Sequence, residues 1–319
     1  SRKAHLAEKI VFVDGLPGCG KSLFSRLIAS MDRVELLIYP YEVEHICHLY
    51  HLDKMPIDAA KTMVRLQTDL RIYNAMMGRE VNFRPSDLSS ALNDNNPSRY
   101  IQRLFGPGDE KVPEMIKQEN PILHFAVHNL LSYSDPIWQA LGDRCVFIEI
   151  VRHPLYMVRQ QVLNMSHLLE DVRDFTVYYA YKGRELPYYT HGWEKDYLNS
   201  NSMERVIHFI DRLTHRTKVA RKKLKEEYQD KLITIPFELF VLNPEPWLKQ
   251  IADALETNII DSTRVVMSEQ NVPRKMVADG IDMQIYKRCG WVPPQEDTTE
   301  RDELRIRRED VVREISNEL

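Results

Sequence analysis

Residues 10–22 read IVFVDGLPGCGKS, and this stretch decides the fold. It opens as a short apolar run ending in aspartate, the pattern of a strand buried on both faces. It continues as Gly15-Leu16-Pro17-Gly18-Cys19-Gly20-Lys21-Ser22, a complete G-x4-G-K-S. Glycines there let backbone N–H groups turn inward around phosphate oxygens, and the start of a following helix adds a favourable dipole. Lys21 brings a point charge to a terminal phosphoryl or sulfuryl group, and Ser22 stands where kinases and nucleotide hydrolases ligate Mg²⁺. Of the chain's 11 glycines, three lie in this loop. Such a loop binds an anionic, phosphate-bearing ligand, but it does not by itself say which chemistry follows.

The rest of the chain alternates strands and helices around this start. Residues 21–30 read as the helix after the loop, and residues 36–39 as a second strand. Between 63 and 77 the apolar positions Met63, Leu66, Leu70, Tyr73 and Met77 recur at helical spacing. Residues 82–120, rich in Asn, Pro, Asp and Ser, predict loops and short helices over a site. Residues 122–127 and 146–151 are buried strands, and 176–181 with 185–189 form a hairpin turning at Lys182-Gly183. A long helix is expected over 203–228, a fifth strand over 232–236, and a helix over 246–255. The expected fold is therefore α/β: a P-loop, doubly wound parallel sheet of about five strands, flanked by helices, with helical and hairpin insertions. A single domain over 1–319 is expected, its charged end at 296–319 forming a helix or tail with a solvated face.

Composition narrows the function classes. With 319 residues, 43% hydrophobic and 28% charged, the chain builds a substantial core and is not broadly disordered. No apolar run approaches the ~20 residues of a membrane span. A net charge of −4 lacks the footprint of a general nucleic-acid binder. Cys19, Cys47, Cys145 and Cys289 form no CxxC pair, so neither a zinc ribbon nor a disulfide framework is indicated. Reduced thiols and a cytoplasmic setting are the expectation; Asn164-Met165-Ser166 is a lone glycosylation sequon. Oligomeric state is left open.

Further segments, in chain order, resemble the sulfotransferase family. Residues 13–30, VDGLPGCGKSLFSRLIAS, look like that family's nucleotide-binding start, whose loop reads roughly G-L-P-R-S-G-T-T-L-L. Residues 147–162, FIEIVRHPLYMVRQQV, are similar to the segment holding the 3′-phosphate of 3′-phosphoadenylyl sulfate (PAPS). Residues 233–255 resemble the family's late strand, its "YEdL" and "dP" elements and the next helix. Residues 121–131, PILHFAVHNLL, resemble the strand whose end carries the catalytic histidine of cytosolic members, with His128 at the matching place and Arg152 24 residues later.

The resemblance implies a PAPS-dependent enzyme moving a sulfuryl group to a hydroxyl, or an amine, of a small-molecule or carbohydrate acceptor, with no metal required. It places the donor on Gly18, Cys19, Gly20, Lys21, Ser22 and Leu23, with Arg152 for the 3′-phosphate and Gln160 where the family commonly has Ser. Lys21 would hold charge on the leaving phosphate. His128 is one candidate for the base; Glu42, in Tyr41-Glu42-Val43-Glu44, is the other, resembling the glutamate of carbohydrate sulfotransferases. The chain departs from the family in carrying Lys21-Ser22 where Thr-Thr is usual, and its Arg274-Lys275 pair follows the late strand at short spacing.

Two alternatives stay open. An ATP- and Mg²⁺-dependent small-molecule kinase would use the same loop, Asp14 or Glu149 as a carboxylate, and Arg152 and Arg159 as phosphate clamps. A nucleotide-binding module without catalysis is the other. His45, His48 and His51 follow at spacings of three, too awkward for one ion and better suited to lining an acceptor cleft. Tyr188, Tyr189 and Trp193 suit stacking on a ring or packing into a core. Residues 218–225, KVARKKLK, read as a solvated helix face.

Overall fold

The computed structural model describes residues 4–94, 96–168, 171–277 and 298–316. Cys289 lies outside the described residues. In chain order the strands are β1 (Lys9–Asp14), β2 (Ile122–Ala126), β3 (Cys145–Val151), the hairpin pair β4 (Tyr178–Tyr181) and β5 (Arg184–Pro187), and β6 (Leu232–Pro236). The helices are α1 (Lys21–Ala29), α2 (Tyr41–His51), α3 (Ile57–Met76), α4 (Pro97–Leu104), α5 (Val112–Glu119), α6 (Asp135–Leu141), α7 (Val158–Leu168), α8 (Glu194–Asn199), α9 (Ser202–Lys223), α10 (Phe237–Leu242), α11 (Glu245–Leu255) and α12 (Asp261–Glu269). A further helix, Glu300–Val312, comes near the chain's end.

The main sheet is parallel, in the order β2-β1-β3-β6. β1 is paired on both edges and lies in a sheet flanked by helices, which bury its side chains from Ile10 to Asp14; that is why it reads as a continuous apolar run rather than an alternating one. Phe12 pairs in register with Phe125 on one side and Phe147 on the other. Its ring stacks on Phe147 at 4.8 Å, forming the middle of the core. Helices α1 and α11 pack on β1, β2, β3 and β6, and α3 and α6 pack on β2 and β3, which flanks the sheet with helices.

The second strand, expected over 36–39, is present as a fragment. Val34 and Ile38 make isolated parallel bridges to Ile122 and Phe125. Between them the ladder breaks because the Leu36 N–H donates to Tyr100 Oη, at 2.9 Å, instead of to the sheet. The same segment carries a buried ion pair: Arg103 of α4 grips Glu35 with both guanidinium nitrogens, at 2.7 and 2.9 Å. Burial opposes the charge on Glu35, but the Arg103 hydrogen bonds and the Arg103 and Arg99 charges outweigh it and hold the carboxyl below its ordinary value. A depressed carboxyl stabilises the fold above its unfolded value of 4.5 and loses that contribution as pH falls through the folded value. Glu35→Gln removes the nearer carboxylate from the Arg103 guanidinium and leaves it Glu119, at 3.3 Å, so guanidinium-chloride melts should show a loss on the order of 2 kcal/mol. The variant should also show a weaker fall in stability on acidification.

Two sequence expectations are corrected. On α3, the stripe of large apolar residues is split: Met63, Leu66 and Leu70 are 38, 47 and 48% exposed, while Tyr73 and Met77 pack partly buried against the core. The buried face carries Ala60, Val64, Thr68 and Ile72. α3 is sandwiched by α2, α5 and α6, and small or β-branched residues let those helices approach closely. Asp69 is buried there too, accepting from the N–H groups of Leu6 and Ala7 at 2.7 and 3.0 Å. The long helix also stops early, at Lys223, with Leu224 turning to extended backbone and a 3-10 turn over Glu226–Lys231. No helix among the described residues is long and apolar enough to cross a membrane.

Candidate active site

Each parallel strand ends at the same edge of the sheet, and each ending delivers a residue of interest. β1 runs into the glycine loop, β2 into His128, β3 into Arg152 and β6 into Phe237. Open parallel sheets bind ligands along this carboxyl edge.

The loop is held in shape by its surroundings. Gly20, at φ +102°, caps the start of α1, and a Cβ there would lie 2.3 Å from the Phe237 ring. Gly15, at φ +144°, would place a Cβ 2.5 Å from the Ile150 carbonyl. Only glycine fits either position. Lys21 folds back to donate to the Gly15 carbonyl at 2.6 Å, and Ser22 is exposed at the mouth. From α7, Gln161 donates to the Pro17 carbonyl, while the Gln160 side chain lies against Gly18.

Arg152 closes one side of the loop. It donates to the Gly18 carbonyl at 3.0 Å, and its guanidinium lies 4.4 Å from the Phe237 ring centre and 5.2 Å from that of Tyr156. Arg274 reaches the same Phe237 ring at 5.7 Å, so the chain path after α12 brings the two arginines around one aromatic face. Sequence spacing did not reveal that. Arg159 lies elsewhere: it pairs with Asp310 and Glu314 at 2.6 Å each, pinning the helix Glu300–Val312 to α7.

Behind the loop is a cavity of about 320 Å³ whose lining includes Asp14, Glu149, Arg152, Lys218 and Arg221. Asp14 is buried and accepts from the N–H groups of Leu130 and Leu131 at 2.9 and 2.7 Å. Burial raises its carboxyl to about 6, against the lowering effect of those amides and Lys21. Its role here is to tie the end of β1 to the turn that carries His128. Glu149 is engaged by Arg221 and by the Thr234 hydroxyl, the latter at 2.8 Å. The stretch expected to be a solvated face thus sends Lys218 and Arg221 into this cavity.

On the other side of the loop lies a second cavity, of about 390 Å³, lined by Pro17 and Gln161, by Glu44, His45 and His48 of α2, and by His128. Glu44 Oε1 accepts from the His128 backbone N–H at 2.7 Å and faces its Nδ1 at 3.1 Å. A hydrogen on Nδ1 completes that contact and leaves Nε2 with its lone pair, the state in which an imidazole takes a proton. Glu42 is not in this cavity. It pairs with Arg71 at 2.6 Å on an exposed face. Glu42 and Glu44 are two residues apart on a helix and therefore point in different directions. Glu44 and His48, four apart, share a face, a signal in the sequence that would have identified Glu44.

The cavity's far wall is aromatic. Tyr188 and Tyr189 follow the hairpin and face it, whereas Trp193 is buried and donates to the Tyr189 carbonyl at 2.7 Å. His45 Nε2 lies 2.9 Å from the Phe175 carbonyl, anchoring another wall. His51 turns away to Arg216 at 2.8 Å, so the histidines of α2 do not converge. Among the described residues no trio of His, Cys, Asp or Glu gathers as a metal-holding group.

No family model matches the chain, and no curated protein matches it. Solved structures similar to it include the sulfotransferase domain from the Synechococcus PCC 7002 olefin synthase, at 11% identity and a TM-score of 0.42, covering 97% of this chain and 96% of that one. The sulfotransferase domain from the curacin biosynthetic pathway aligns at 12% identity and a TM-score of 0.43, covering 97% and 99%. Sulfotransferase STF1 from Mycobacterium tuberculosis H37Rv aligns at 10% identity and a TM-score of 0.43, covering 82% and 71%.

Proposed function

We propose that the chain is a sulfotransferase that moves a sulfuryl group from PAPS to a hydroxyl, or less favourably an amine, of a small-molecule or carbohydrate acceptor. One observation carries the reading: the oriented His128–Glu44 pair lines a cavity that the phosphate loop borders through Pro17. A proton acceptor beside an anion cradle is what transfer to a hydroxyl needs. The sequence resemblance supplies the identity of the donor.

The residues suit that donor. The glycine loop and the start of α1 form an anion cradle, and Arg152 and Arg274 flank Phe237 beside it. The loop residues Gly18–Leu23 would hold the 5′ end, Arg152 the 3′-phosphate, and Gln160 the loop itself. PAPS supplies the sulfuryl group and departs as adenosine 3′,5′-bisphosphate. His128 Nε2 takes the acceptor's proton as its oxygen bonds to sulfur, and Glu44 holds the imidazole and the charge it gains. Lys21 and the loop amides hold the negative charge that collects on the leaving phosphate as its bond to sulfur breaks.

The kinase reading draws on the Lys21-Ser22 sequence of the loop. Against it, both carboxylates it would use already serve protein partners: Asp14 holds two backbone amides, and Glu149 holds Arg221 and Thr234. Calorimetric titration with adenosine 3′,5′-bisphosphate and with ATP, each with and without Mg²⁺, decides between them. The expected result is Mg²⁺-independent bisphosphate binding, weakened about 10–100-fold in Arg152→Ala by loss of charge-assisted hydrogen bonds. Preference for ATP with Mg²⁺ would overturn the proposal in favour of the kinase. Bisphosphate binding with no turnover of any hydroxyl acceptor would favour the non-catalytic module.

A further inference from the structure

His48 lines the acceptor cavity, and the transfer step does not use its chemistry. Its side chain is almost wholly buried, at 4% exposure, yet neither ring nitrogen has a hydrogen-bond partner among the described residues. Buried donors and acceptors in native proteins are nearly always satisfied, because leaving one unmet is costly. The ring is also fixed in place. It stacks on Tyr188 at 3.5 Å and 14° and meets Tyr133 edge-on at 5.4 Å.

We infer that His48 selects the acceptor, hydrogen-bonding a second polar group of a neutral, ring-bearing molecule whose reacting hydroxyl is held at His128. The inference rests on reading this cavity as the acceptor site. Position supports it: Glu44, which orients His128, and His48 lie one helical turn apart on α2 and line the same cavity. Burial, then the neighbouring His45, His51 and His128, push the His48 imidazolium form well out of reach, so the ring offers one donor and one acceptor and no charge. The charged groups around it are matched by protein partners: Glu44 faces His128, Arg173 pairs with Asp171 at 2.6 Å, and Asp174 accepts from the Tyr178 hydroxyl at 2.6 Å. A charged acceptor would lose its hydration here without gaining a counter-charge. A flat ring matches the aromatic wall, and the cavity's size suits a small ligand.

The acceptor being unidentified, the probes are phenol, the three benzenediols and 4-hydroxybenzoate, titrated into the full chain by ligand-observed NMR with and without adenosine 3′,5′-bisphosphate. At least one diol should bind about tenfold more tightly than phenol, and the carboxylate should bind more weakly than either. His48→Phe, which keeps the ring against Tyr188 but removes both nitrogens, should erase the diol preference, and His48→Asn should restore part of it. Bisphosphate affinity should be the same in both variants. Should His48→Phe not fold, the His48 imidazole ¹⁵N resonances of the unaltered chain serve instead, shifting with the preferred diol and not with phenol. No diol preference, a preference that survives in His48→Phe, or favoured binding of 4-hydroxybenzoate would overturn the inference. Failure of bisphosphate to bind would overturn the donor reading instead, since the diol comparison is read without it.

Discussion

His128→Ala should lower turnover by about 10²–10⁴-fold, the usual contribution of a positioned general base. Binding of adenosine 3′,5′-bisphosphate should persist, because His128 faces the other cavity from Arg152. The carboxylate behind it makes the prediction sharper. Glu44→Gln keeps an acceptor oxygen for the Nδ1–H but removes the charge that stabilises a protonated ring, so turnover should fall about 10–100-fold. Glu42→Gln should leave turnover near normal, since Glu42 pairs with Arg71 outside the cavity. Steady-state kinetics on the three variants gives the answer. Full activity in His128→Ala, or equal losses in Glu42→Gln and Glu44→Gln, would remove the base from this site.

Lys21→Ala should cost about 10²–10³ in turnover, the scale on which a preorganised electrostatic contact to developing charge is worth. Its ammonium, at the start of α1, donates to the Gly15 carbonyl at 2.6 Å, which holds it at the loop. A point charge held there interacts most strongly where negative charge collects on the leaving phosphate. The loss should therefore appear chiefly in the rate of transfer, with bisphosphate affinity falling less. Single-turnover kinetics separates the two effects. An equal loss in affinity and rate would mean that Lys21 binds the donor without favouring the transition state.

Much of the fold was legible because local signals agreed with the tertiary result. Apolar runs at 10–14, 122–127 and 146–151 became parallel strands because a strand covered on both faces tolerates little else, whereas 232–236, last in the sheet order, fully buries only Ile233 and Ile235. The hairpin turned at Lys182-Gly183 as its φ values of +48° and +78° require. The stripe on α3 misled because large apolar residues need not mark the buried side; close helix packing selected Ala60, Val64 and Thr68. At the site, the loop was legible from its own glycines, whereas Arg152 and His128 were singled out by the resemblance of their segments to the sulfotransferase family. Glu44 was passed over for Glu42 because both are glutamates in one short run, and only the helix phase distinguishes them.

The sequence by itself determined the order of the strands along the chain and the glycine turn that leads from β1 into α1. Both depend on contacts between near neighbours: glycine's freedom at positive φ, the buried strand, the helix start. Only the tertiary structure decided which groups meet across distance. It brought Glu44 to His128 over 84 residues and Arg221 to Glu149 over 72, and it gathered Arg152 and Arg274 at Phe237. It also left His48 buried with its nitrogens unmet. Those outcomes depend on how the parallel strands align their ends and how α2, α7 and α9 settle around them, which no spacing along the chain encodes.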